Sequence, residues 1–375
     1  MTAQLKLIQQ RLENAAPLLI SKKVSAGLDG FVDAIVKIVN YKTEDGVPAY
    51  FQTIAEFGAY ITSKSGSGFS LESEELLQRP GGNMPIMANA MAEMGAKVNC
   101  VGAFGLPAVV SVFERLHANC QLYSFANPGF TTAVEFTDGK MMLAQMADLN
   151  HADWNTLKTK IGLKKLLELF SGCDLVCLVN WSELDHSNKI WQGLLEEIFE
   201  ILDERVRPKQ FFFDLSDCSK RSAATISTAL NLIKKFNAYG KVTLSLNQNE
   251  ATILYKTIFR SPLPVDTQMI GLQLFNEINV DTLVIHSAKI SLAWDKYGKY
   301  SNVPVFNASP VMLTGAGDNF NAGFCVANLL NLDTELSLIM ANMVSNIYIT
   351  TGKSPDFPAL KKHISELFIV NYKAN

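Results

Sequence analysis

The chain contains 375 residues, and its 33 Lys plus Arg against 36 Asp plus Glu give a formal net charge of −3. This balance argues against nucleic acid as a partner, and a hydrophobic content of 48% with 18% charged residues excludes an intrinsically disordered chain. Charged residues or Asn interrupt every long apolar stretch, so the sequence predicts no membrane-spanning helix and no membrane partner.

The first 23 residues place Lys, Arg, Glu and Gln among apolar residues at helical spacing. This pattern predicts a short amphipathic helix and is not that of a secretory signal. Cysteines occur at 100, 120, 173, 177, 218 and 325, mostly within apolar segments. Such positions are typical of reduced thiols in a protein core, so we expect a cytoplasmic protein.

Short apolar runs alternate with longer helical patterns along most of the chain. The predicted strands are 24–27, 97–101, 174–179, 210–214, 242–246 and 282–286. The predicted helices are 84–94, 109–118, 156–170, 188–204 and 223–236. This order indicates an α/β fold with a doubly wound, mostly parallel central sheet and helices on both faces. We therefore expect functional residues just after the strands, at their carboxyl ends.

Residues 131–146 break this alternation, because they form two strand patterns around Asp138 and Gly139, a dipeptide that suits a tight turn. No predicted helix covers this hairpin. The polar, irregular segment 35–50 adds to it, and we interpret the residues around position 70 as a flexible loop. The sequence therefore predicts one domain, 1–375, with a small β lid inserted at approximately 35–50 and 131–146; a plain surface hairpin is the alternative.

The strongest chemical signal is the small-residue turn Gly315-Ala316-Gly317, which leads directly into a helical pattern. Residues without bulk let the backbone approach a ligand, and N–H groups at a helix N-terminus form an anion pocket. Asp318 follows in the first helical turn, where it could simply cap the helix. Beside an anion pocket, however, a carboxylate can accept the proton of a hydroxyl that attacks a phosphoryl group.

A second signal is the sequence Gly81-Gly82-Asn83 immediately before the predicted helix 84–94. Two glycines again allow close approach of the backbone, and an Asn side chain can both donate to and accept from sugar hydroxyls. Considered alone, this motif is equally compatible with a simple turn.

Together, and in this order, the two segments resemble the paired signatures of the ribokinase or pfkB family of carbohydrate kinases. The resemblance extends over nearly the whole chain. It includes a first strand ending in Gly27, Asp29 and Asp33 soon after it, the lid hairpin, the segment FDLSD, and the sequence Asn247-Gln-Asn-Glu250. It implies a ribokinase-like fold and the transfer of phosphate from ATP, with Mg²⁺, to a hydroxyl of a sugar or sugar-like molecule.

The resemblance also implies roles for individual residues. Asp318 would be the catalytic base, and the amides of Gly315, Ala316 and Gly317 would form the anion hole. The residues that would hold the sugar are Asp29, Asp33, Gly81, Gly82 and Asn83. The residues that would lie along the nucleotide are Asn247, Glu250 and Asn342. Glu250 would also act on the magnesium ion, through water.

Three positions differ from the family pattern. Ile86 stands where many members carry a further Asn of the sugar site. Met312 replaces an Asp that belongs to a monovalent-cation site in the family, which leaves potassium activation open. His286 lies in a segment that usually carries a glycine along the nucleotide, although a histidine at a strand end is more often structural.

Other nucleotide enzymes fit less well. A P-loop needs G-x-x-x-x-G-K-[ST], but Gly352-Lys353-Ser354 has Ile347 at the position of the first glycine. A nicotinamide enzyme would carry G-x-G-x-x-G after its first strand, whereas the nearest candidate begins at Gly315 and ends in Phe320.

The remaining alternative is a degenerate, non-catalytic member that binds a sugar or nucleoside and has a regulatory role. The retained Asp318 favours the enzyme. The sequence leaves open whether the acceptor is a pentose, a ketohexose, a keto-deoxy acid or a nucleoside, and whether the donor is ATP or ADP. An uncovered lid sheet would favour a homodimer through the lid.

Overall fold

The structure is a computed structural model that describes residues 2–305 and 309–373. Its strands are β1 (Lys23–Gly27), β2 (Phe31–Lys42), β3 (Pro48–Tyr50), β4 (Ser73–Gly81), β5 (Lys97–Gly102), β6 (Cys120–Ser124), β7 (Gly129–Phe136), β8 (Gly139–Gln145), β9 (Leu175–Leu178), β10 (Gln210–Asp214), β11 (Lys241–Asn247), β12 (Thr282–His286), β13 (Ser291–Asp295) and β14 (Gly298–Asn302).

The α-helices are α1 (Thr2–Glu13), α2 (Ala15–Ile20), α3 (Ile54–Ser63), α4 (Asn83–Glu93), α5 (Ala147–His151), α6 (Trp154–Lys160), α7 (Leu163–Phe170), α8 (Ser187–Leu194), α9 (Ala223–Phe236), α10 (Gln248–Phe259), α11 (Thr267–Ile278), α12 (Ala316–Leu329), α13 (Thr334–Thr351) and α14 (Phe357–Lys373). In the described part of the chain, no helix has the length and apolar character that crossing a membrane requires.

Nine strands form the main sheet, in the order β14-β13-β12-β11-β10-β9-β1-β5-β6. The strands from β12 to β6 in this order are parallel, and only β13 and β14 add antiparallel pairs at one edge. The six strands predicted from the sequence all lie in the parallel part, so the predicted fold class is confirmed.

Helices cover both faces of the main sheet. Because successive residues of a strand point to opposite faces, each central strand contributes side chains to both helix layers. In β10, Phe211 and Phe213 belong to one buried cluster together with residues of α6 to α11. Phe212 belongs to the cluster on the other face, together with residues of α4, α12 and α13. Each fully buried Phe contributes about 1.5–3 kcal/mol to stability. A strand that is covered on both faces gains this stabilisation at every position, so continuous apolar runs identify such strands.

A second sheet of five strands has the order β3-β2-β7-β8 with β4 paired to β2. It contains both segments that the sequence predicts as a lid, and we call it the lid sheet, or lid. The predicted hairpin is confirmed, since β7 and β8 pair antiparallel from Phe136 opposite Gly139 back to Phe130 opposite Gln145. Contrary to our expectation, the segment 35–50 is not irregular, because it contains most of the long strand β2 and all of the short strand β3. The loop predicted around residue 70 ends at Ser73, where β4 begins.

The hairpin also has a helix against it, contrary to the prediction. The Asp138 carboxylate in the hairpin turn accepts a hydrogen bond from the N–H of Ile54, at the start of α3, at 2.9 Å. The rings of Phe57 in α3 and Phe136 in β7 lie 5.5 Å apart. The sequence did not reveal this helix because only Phe57 of its residues is buried.

Three predicted helices are shorter than expected. Residues 109–118 contain only a 3₁₀ turn, Ser111–Arg115, between extended backbone at Val110 and Leu116. The helix predicted over 156–170 is divided at Gly162, whose φ of +91° interrupts the helical hydrogen bonds. The helix predicted over 188–204 leaves α-geometry at Leu194 and ends in a π turn, Leu195–Phe199.

Candidate active site

Polar side chains collect where neighbouring strands of the main sheet end. Asp29, Asn180, Asp214, Asn247 and His286 lie at or just after the carboxyl ends of β1, β9, β10, β11 and β12. These strands are adjacent in the sheet. The arrangement places a polar crevice where parallel α/β sheets bind their ligands.

Asp29 fixes the N-terminus of α4. Its Oδ1 accepts a hydrogen bond from the N–H of Met84 at 2.9 Å, and its Oδ2 accepts one from the Asn180 amide at 2.6 Å. Burial raises the pKa of Asp29 to about 7, although both hydrogen bonds act in the opposite direction. Because each oxygen already has a protein partner, Asp29 holds the helix in place, and its predicted contact with a sugar stays a prediction.

The neighbouring glycines leave room for two carboxylates. A Cβ at Gly81 would lie 2.4 Å from Oδ1 of Asp33, and a Cβ at Gly82 would lie 2.3 Å from Oδ2 of Asp29. The motif therefore brings the backbone against both predicted sugar-binding aspartates, and Asn83 follows as the first residue of α4.

Asp33 lies in the lid strand β2, opposite Arg79 of β4 and Thr131 of β7. Burial raises the pKa of Asp33, while the positive charge of Arg79 and a hydrogen bond from Thr131 act in the opposite direction. The side chain remains next to the glycine motif of α4, so Asp33 joins the lid to the crevice.

The small-residue turn has the conformation that the sequence predicts. Gly315 has a φ of +95° and precedes α12. The N–H of Ala316 donates to the carbonyl of Leu313 at 3.1 Å, so in this structure it is used inside the turn. Among the described residues, the N–H groups of Gly317 and Asp318 have no backbone acceptor. The N–H of Gly317 is therefore an available anion-binding donor of the first helical turn, whereas the N–H of Asp318 donates to the carboxylate of the same residue.

Two side chains hold this turn from outside. The Tyr348 hydroxyl donates to the carbonyl of Thr314 at 2.8 Å, and a Cβ at Gly315 would lie 2.8 Å from the same hydroxyl. Lys140 of β8 donates to the Thr314 hydroxyl at 3.2 Å, which connects the lid hairpin to the turn.

Asp318 stands within a group of buried carboxylates. Burial raises its pKa well above the ordinary value, and the negative charges of Asp214 and Asp29 raise it further. Glu250 behaves in the same way, because burial and the charge of Asp214 raise its pKa. A raised pKa makes Asp318 a better proton acceptor near neutral pH than an exposed aspartate.

Asp214 is a site residue that the sequence analysis did not identify. Its Oδ2 accepts from the Asn321 amide at 2.8 Å, and its Oδ1 accepts from the N–H of Ser216 at 2.9 Å. Burial raises the pKa of Asp214 to about 6, with the Asn83 amide among the groups that oppose this shift. The residue follows a continuous apolar strand, so the rule that functional residues follow strands would have selected it.

Asn247 and Glu250 form a reciprocal cap at the start of α10. The Asn247 Oδ1 accepts from the N–H of Glu250 at 2.9 Å, and Glu250 Oε2 accepts from the N–H of Asn247 at 2.8 Å. In the described ranges 2–305 and 309–373, no three His, Cys, Asp or Glu side chains are close enough to hold a metal directly. A magnesium role for Glu250 through water thus stays a prediction.

A cavity of about 560 Å³ opens beside α12 and is lined by Asn247, Gly317 and Asn342, among others. The Asn342 side chain is fixed there, since its Oδ1 accepts from the Ser291 hydroxyl at 2.9 Å and its amide donates to Asn302 at 2.8 Å. Three residues predicted to lie near donor nucleotide or phosphate therefore share one cavity of suitable size.

His286 forms part of the same wall. Its ring stacks on Phe320 with the centroids 4.7 Å apart, and a Cβ at Gly317 would lie 3.4 Å from Cε1. Burial lowers the pKa of His286 to about 4, so the imidazole is neutral at physiological pH and adds no charge to the cavity.

The structure thus brings all the predicted motifs to one edge of the sheet, with the glycine motif of α4 on one side and the cavity on the other. The members that sequence analysis missed are Arg79, Asn180, Asp214 and Asn321. A model of the prokaryotic ketohexokinase family matches residues 8–367. The chain belongs to this family.

Its relatives are sugar kinases. The ketohexokinase of Haloferax volcanii is 27% identical over 348 residues, which cover 92% of this chain and 91% of that protein. The ribokinase of Bacillus subtilis is 31% identical over 102 residues, which cover 25% of this chain and 35% of that protein.

Solved structures share the fold. Phosphofructokinase-2 from Escherichia coli in complex with fructose-6-phosphate has a TM-score of 0.63 at 14% identity, with 92% of this chain and 99% of that chain covered. Ribokinase from Thermotoga maritima has a TM-score of 0.58 at 16% identity, with the same shares covered. The ribokinase-like fold that the sequence predicts is therefore confirmed.

Proposed function

We propose that the protein is a ketohexose kinase that transfers the γ-phosphate of ATP to a primary hydroxyl of the sugar. The family match and the Haloferax volcanii relative support a ketohexose as the acceptor. The observation that carries the proposal is the position of Asp318, a buried carboxylate directly after Gly317, whose N–H has no backbone acceptor among the described residues.

On the acceptor side, Asp33 and Asn83 hold the sugar hydroxyls. Asp33 accepts hydrogen bonds as a carboxylate, and Asn83 can both accept and donate. Gly81 and Gly82 let the sugar approach the backbone. Asp29 keeps α4 in position by accepting from the N–H of Met84, and the Asn180 amide in turn holds Asp29. This arrangement directs one primary hydroxyl toward Asp318.

The chemical step is an in-line displacement at the γ-phosphorus. The hydroxyl oxygen of the sugar forms the new P–O bond, the bond between the γ-phosphorus and the bridging oxygen of ADP breaks, and Asp318 takes the hydroxyl proton. The N–H of Gly317 stabilises the charge on the transferred group. The products are ADP, the sugar phosphate and a proton, which Asp318 later releases to water.

The donor nucleotide occupies the cavity beside α12. Asn342, held between Ser291 and Asn302, lines the part of the cavity in which we place the base. Asn247 and Gly317 also line the cavity. We place the phosphates at this end, because Gly317 directly precedes Asp318.

The acidic side chains also fit a magnesium ion bound through its water molecules. The charges of Asp214 and Asp318 raise the pKa of Glu250, and the charge of Asp214 also raises the pKa of Asp318. A divalent cation would relieve this repulsion. When bound, Mg²⁺ neutralises negative charge on the donor phosphates. The position of Met312 does not fit a monovalent cation, because its thioether is a soft group that accepts from Arg79.

We further propose that two copies associate through their lids. Leu76 and Leu77 of β4 and Met142 and Leu143 of β8 are each about half exposed, and β2 and β7 separate these two strands in the lid sheet, so large apolar side chains are exposed on both sides of its centre. Light scattering of the purified protein tests this, and a monomer at micromolar concentration would contradict it.

The function is tested by measuring ADP release with Mg-ATP across ketohexoses, pentoses, keto-deoxy acids and nucleosides. We expect turnover with a ketohexose, and we expect Asp318→Asn to lower kcat by roughly 10²- to 10⁴-fold while ATP binding stays nearly unchanged. Replacement of the exposed Asp203, which pairs with Arg205 away from the site, is the matched control. No turnover with any acceptor, in a folded protein that still binds ATP or sugar, would instead support the non-catalytic alternative.

A further inference from the structure

Arg79 is a largely buried cation to which the proposed mechanism assigns no role. It lies in β4, directly opposite Asp33 of β2 and two residues before Gly81. Its side chain is only 18% exposed. The guanidinium therefore belongs to the interior of the crevice and not to the outer surface of the lid.

The hydrogen-bonding capacity of this guanidinium is largely unused. Its Nε is buried and has no hydrogen-bond partner among the described residues. Its Nη1 donates to the thioether sulfur of Met312 at 3.2 Å, and a thioether is a weak acceptor. The distance from Nε to Oδ2 of Asp33 is 3.9 Å, which is too long for a hydrogen bond. A buried cation in this condition is costly unless a ligand completes its bonding.

The surroundings of Arg79 identify the missing acceptor. On one side stands Asp33, which we assign to the sugar. On the other side stand Met312 and Tyr348, which adjoin the turn before α12. Burial raises the pKa of Tyr348, and the charge of Arg79 opposes that shift, so the two side chains are electrostatically coupled. The guanidinium thus lies between the sugar and the anion-binding turn, where the transferred phosphoryl group must pass.

We propose that Arg79 binds the oxygens of the phosphoryl group during its transfer and of the phosphate ester that results. This inference rests on the proposed kinase function. A guanidinium offers two parallel N–H donors that match two oxygens of a phosphate, which an ammonium group cannot do. The alternative is that Arg79 only neutralises Asp33, and in that case any cation at position 79 would serve.

Three variants of the full chain separate these possibilities: Arg79→Met, Arg79→Lys and the control Arg115→Met. Arg115 also contacts β4, because it donates to the carbonyl of Gln78 at 2.6 Å, but this hydrogen bond is exposed. We expect Arg79→Met to lower kcat by roughly 10²- to 10³-fold, as removal of one oxyanion donor does, and to weaken binding of inorganic phosphate about tenfold. We expect Arg79→Lys to recover little of either quantity, because it restores the charge without the paired donors.

Phosphate binding is measured by calorimetry and needs no turnover. Phosphate affinity in Arg79→Met equal to that of Arg115→Met would overturn the inference, and so would full recovery of kcat in Arg79→Lys. If the wild-type protein phosphorylates no sugar but Arg79→Met still loses phosphate binding, the proposed function fails while the anion-binding role stands. Circular dichroism checks folding, and Arg79→Gln replaces Arg79→Met if the Met variant does not fold.

Discussion

The carboxylate of Asp29 fills the space that a side chain at position 82 would need, since a Cβ at Gly82 would lie 2.3 Å from Oδ2. The other oxygen of Asp29 holds the N–H of Met84, in the first turn of α4. The glycine is therefore required for two reasons. Its φ of +91° suits few other residues, and its missing side chain lets the helix start close against the aspartate.

The substitution Gly82→Ala tests this contact. We expect it to lower the free energy of unfolding by about 1–3 kcal/mol and to raise KM for the sugar, because the methyl group would displace Asp29 and α4 together. Urea denaturation and steady-state kinetics measure the two effects. Gly95→Ala is the matched control, since Gly95 has a φ of +95° but nothing within 4 Å of its Cβ position. An equal loss of stability in both variants would show that only backbone strain matters.

The second prediction concerns the pH dependence of the reaction. Burial and the charge of Asp214 raise the pKa of Asp318, and a base must be deprotonated to act. The activity should therefore fall on the acid side at a higher pH than the ordinary aspartate value of 3.8 would give. Asp214→Asn removes a negative charge, lowers the pKa of Asp318, and should move this acid limb to lower pH.

The measurement is kcat/KM against pH for the wild type, for Asp214→Asn and for Asp203→Asn, whose carboxylate is exposed and remote. The control should leave the acid limb in place. An acid limb that does not move in Asp214→Asn would mean that the titrating group is not Asp318, or that Asp214 carries no charge in the active enzyme.

The main sheet could be predicted because its strands are buried on both faces and appear as continuous apolar runs. The lid could be predicted only in part. The hairpin was visible from its turn residues Asp138 and Gly139, but β4 mixes exposed acids with the half-exposed Leu76 and Leu77 and has no clear alternation. Strands of this kind are stabilised by their partners in the sheet, so the local sequence shows little of them.

The site residues likewise divide into those that the sequence alone could identify and those that it could not. Asp318 and Gly82 belong to compact motifs and were found as such. Arg79 was not found, because its role depends on which strands become neighbours and not on its own sequence context. Asp214 and Asn180 did carry a local signal, since Asp214 ends a predicted strand and Asn180 directly follows one, but neither belongs to a compact glycine motif.

We expect Lys140 to contribute to closure of the lid. Lys140 of β8 donates to the Thr314 hydroxyl at 3.2 Å, and this is a direct polar link between the lid hairpin and the turn before α12. Because the lysine is charged, we expect Lys140→Met to weaken closure and to lower kcat for sugar phosphorylation by about tenfold. Water should then reach the γ-phosphate more often, so ADP release should exceed formation of sugar phosphate.

Both products are measured in the same reaction, with Lys42→Met as the control. Lys42 also lies on a lid strand, but it pairs with Glu72 at 2.7 Å, and both side chains are about half exposed. We expect the control to keep equal amounts of ADP and sugar phosphate. An unchanged product ratio together with an unchanged kcat in Lys140→Met would show that the lid closes without this link, and water exclusion would then have to rest on the packing of the lid strands β2 and β7 alone.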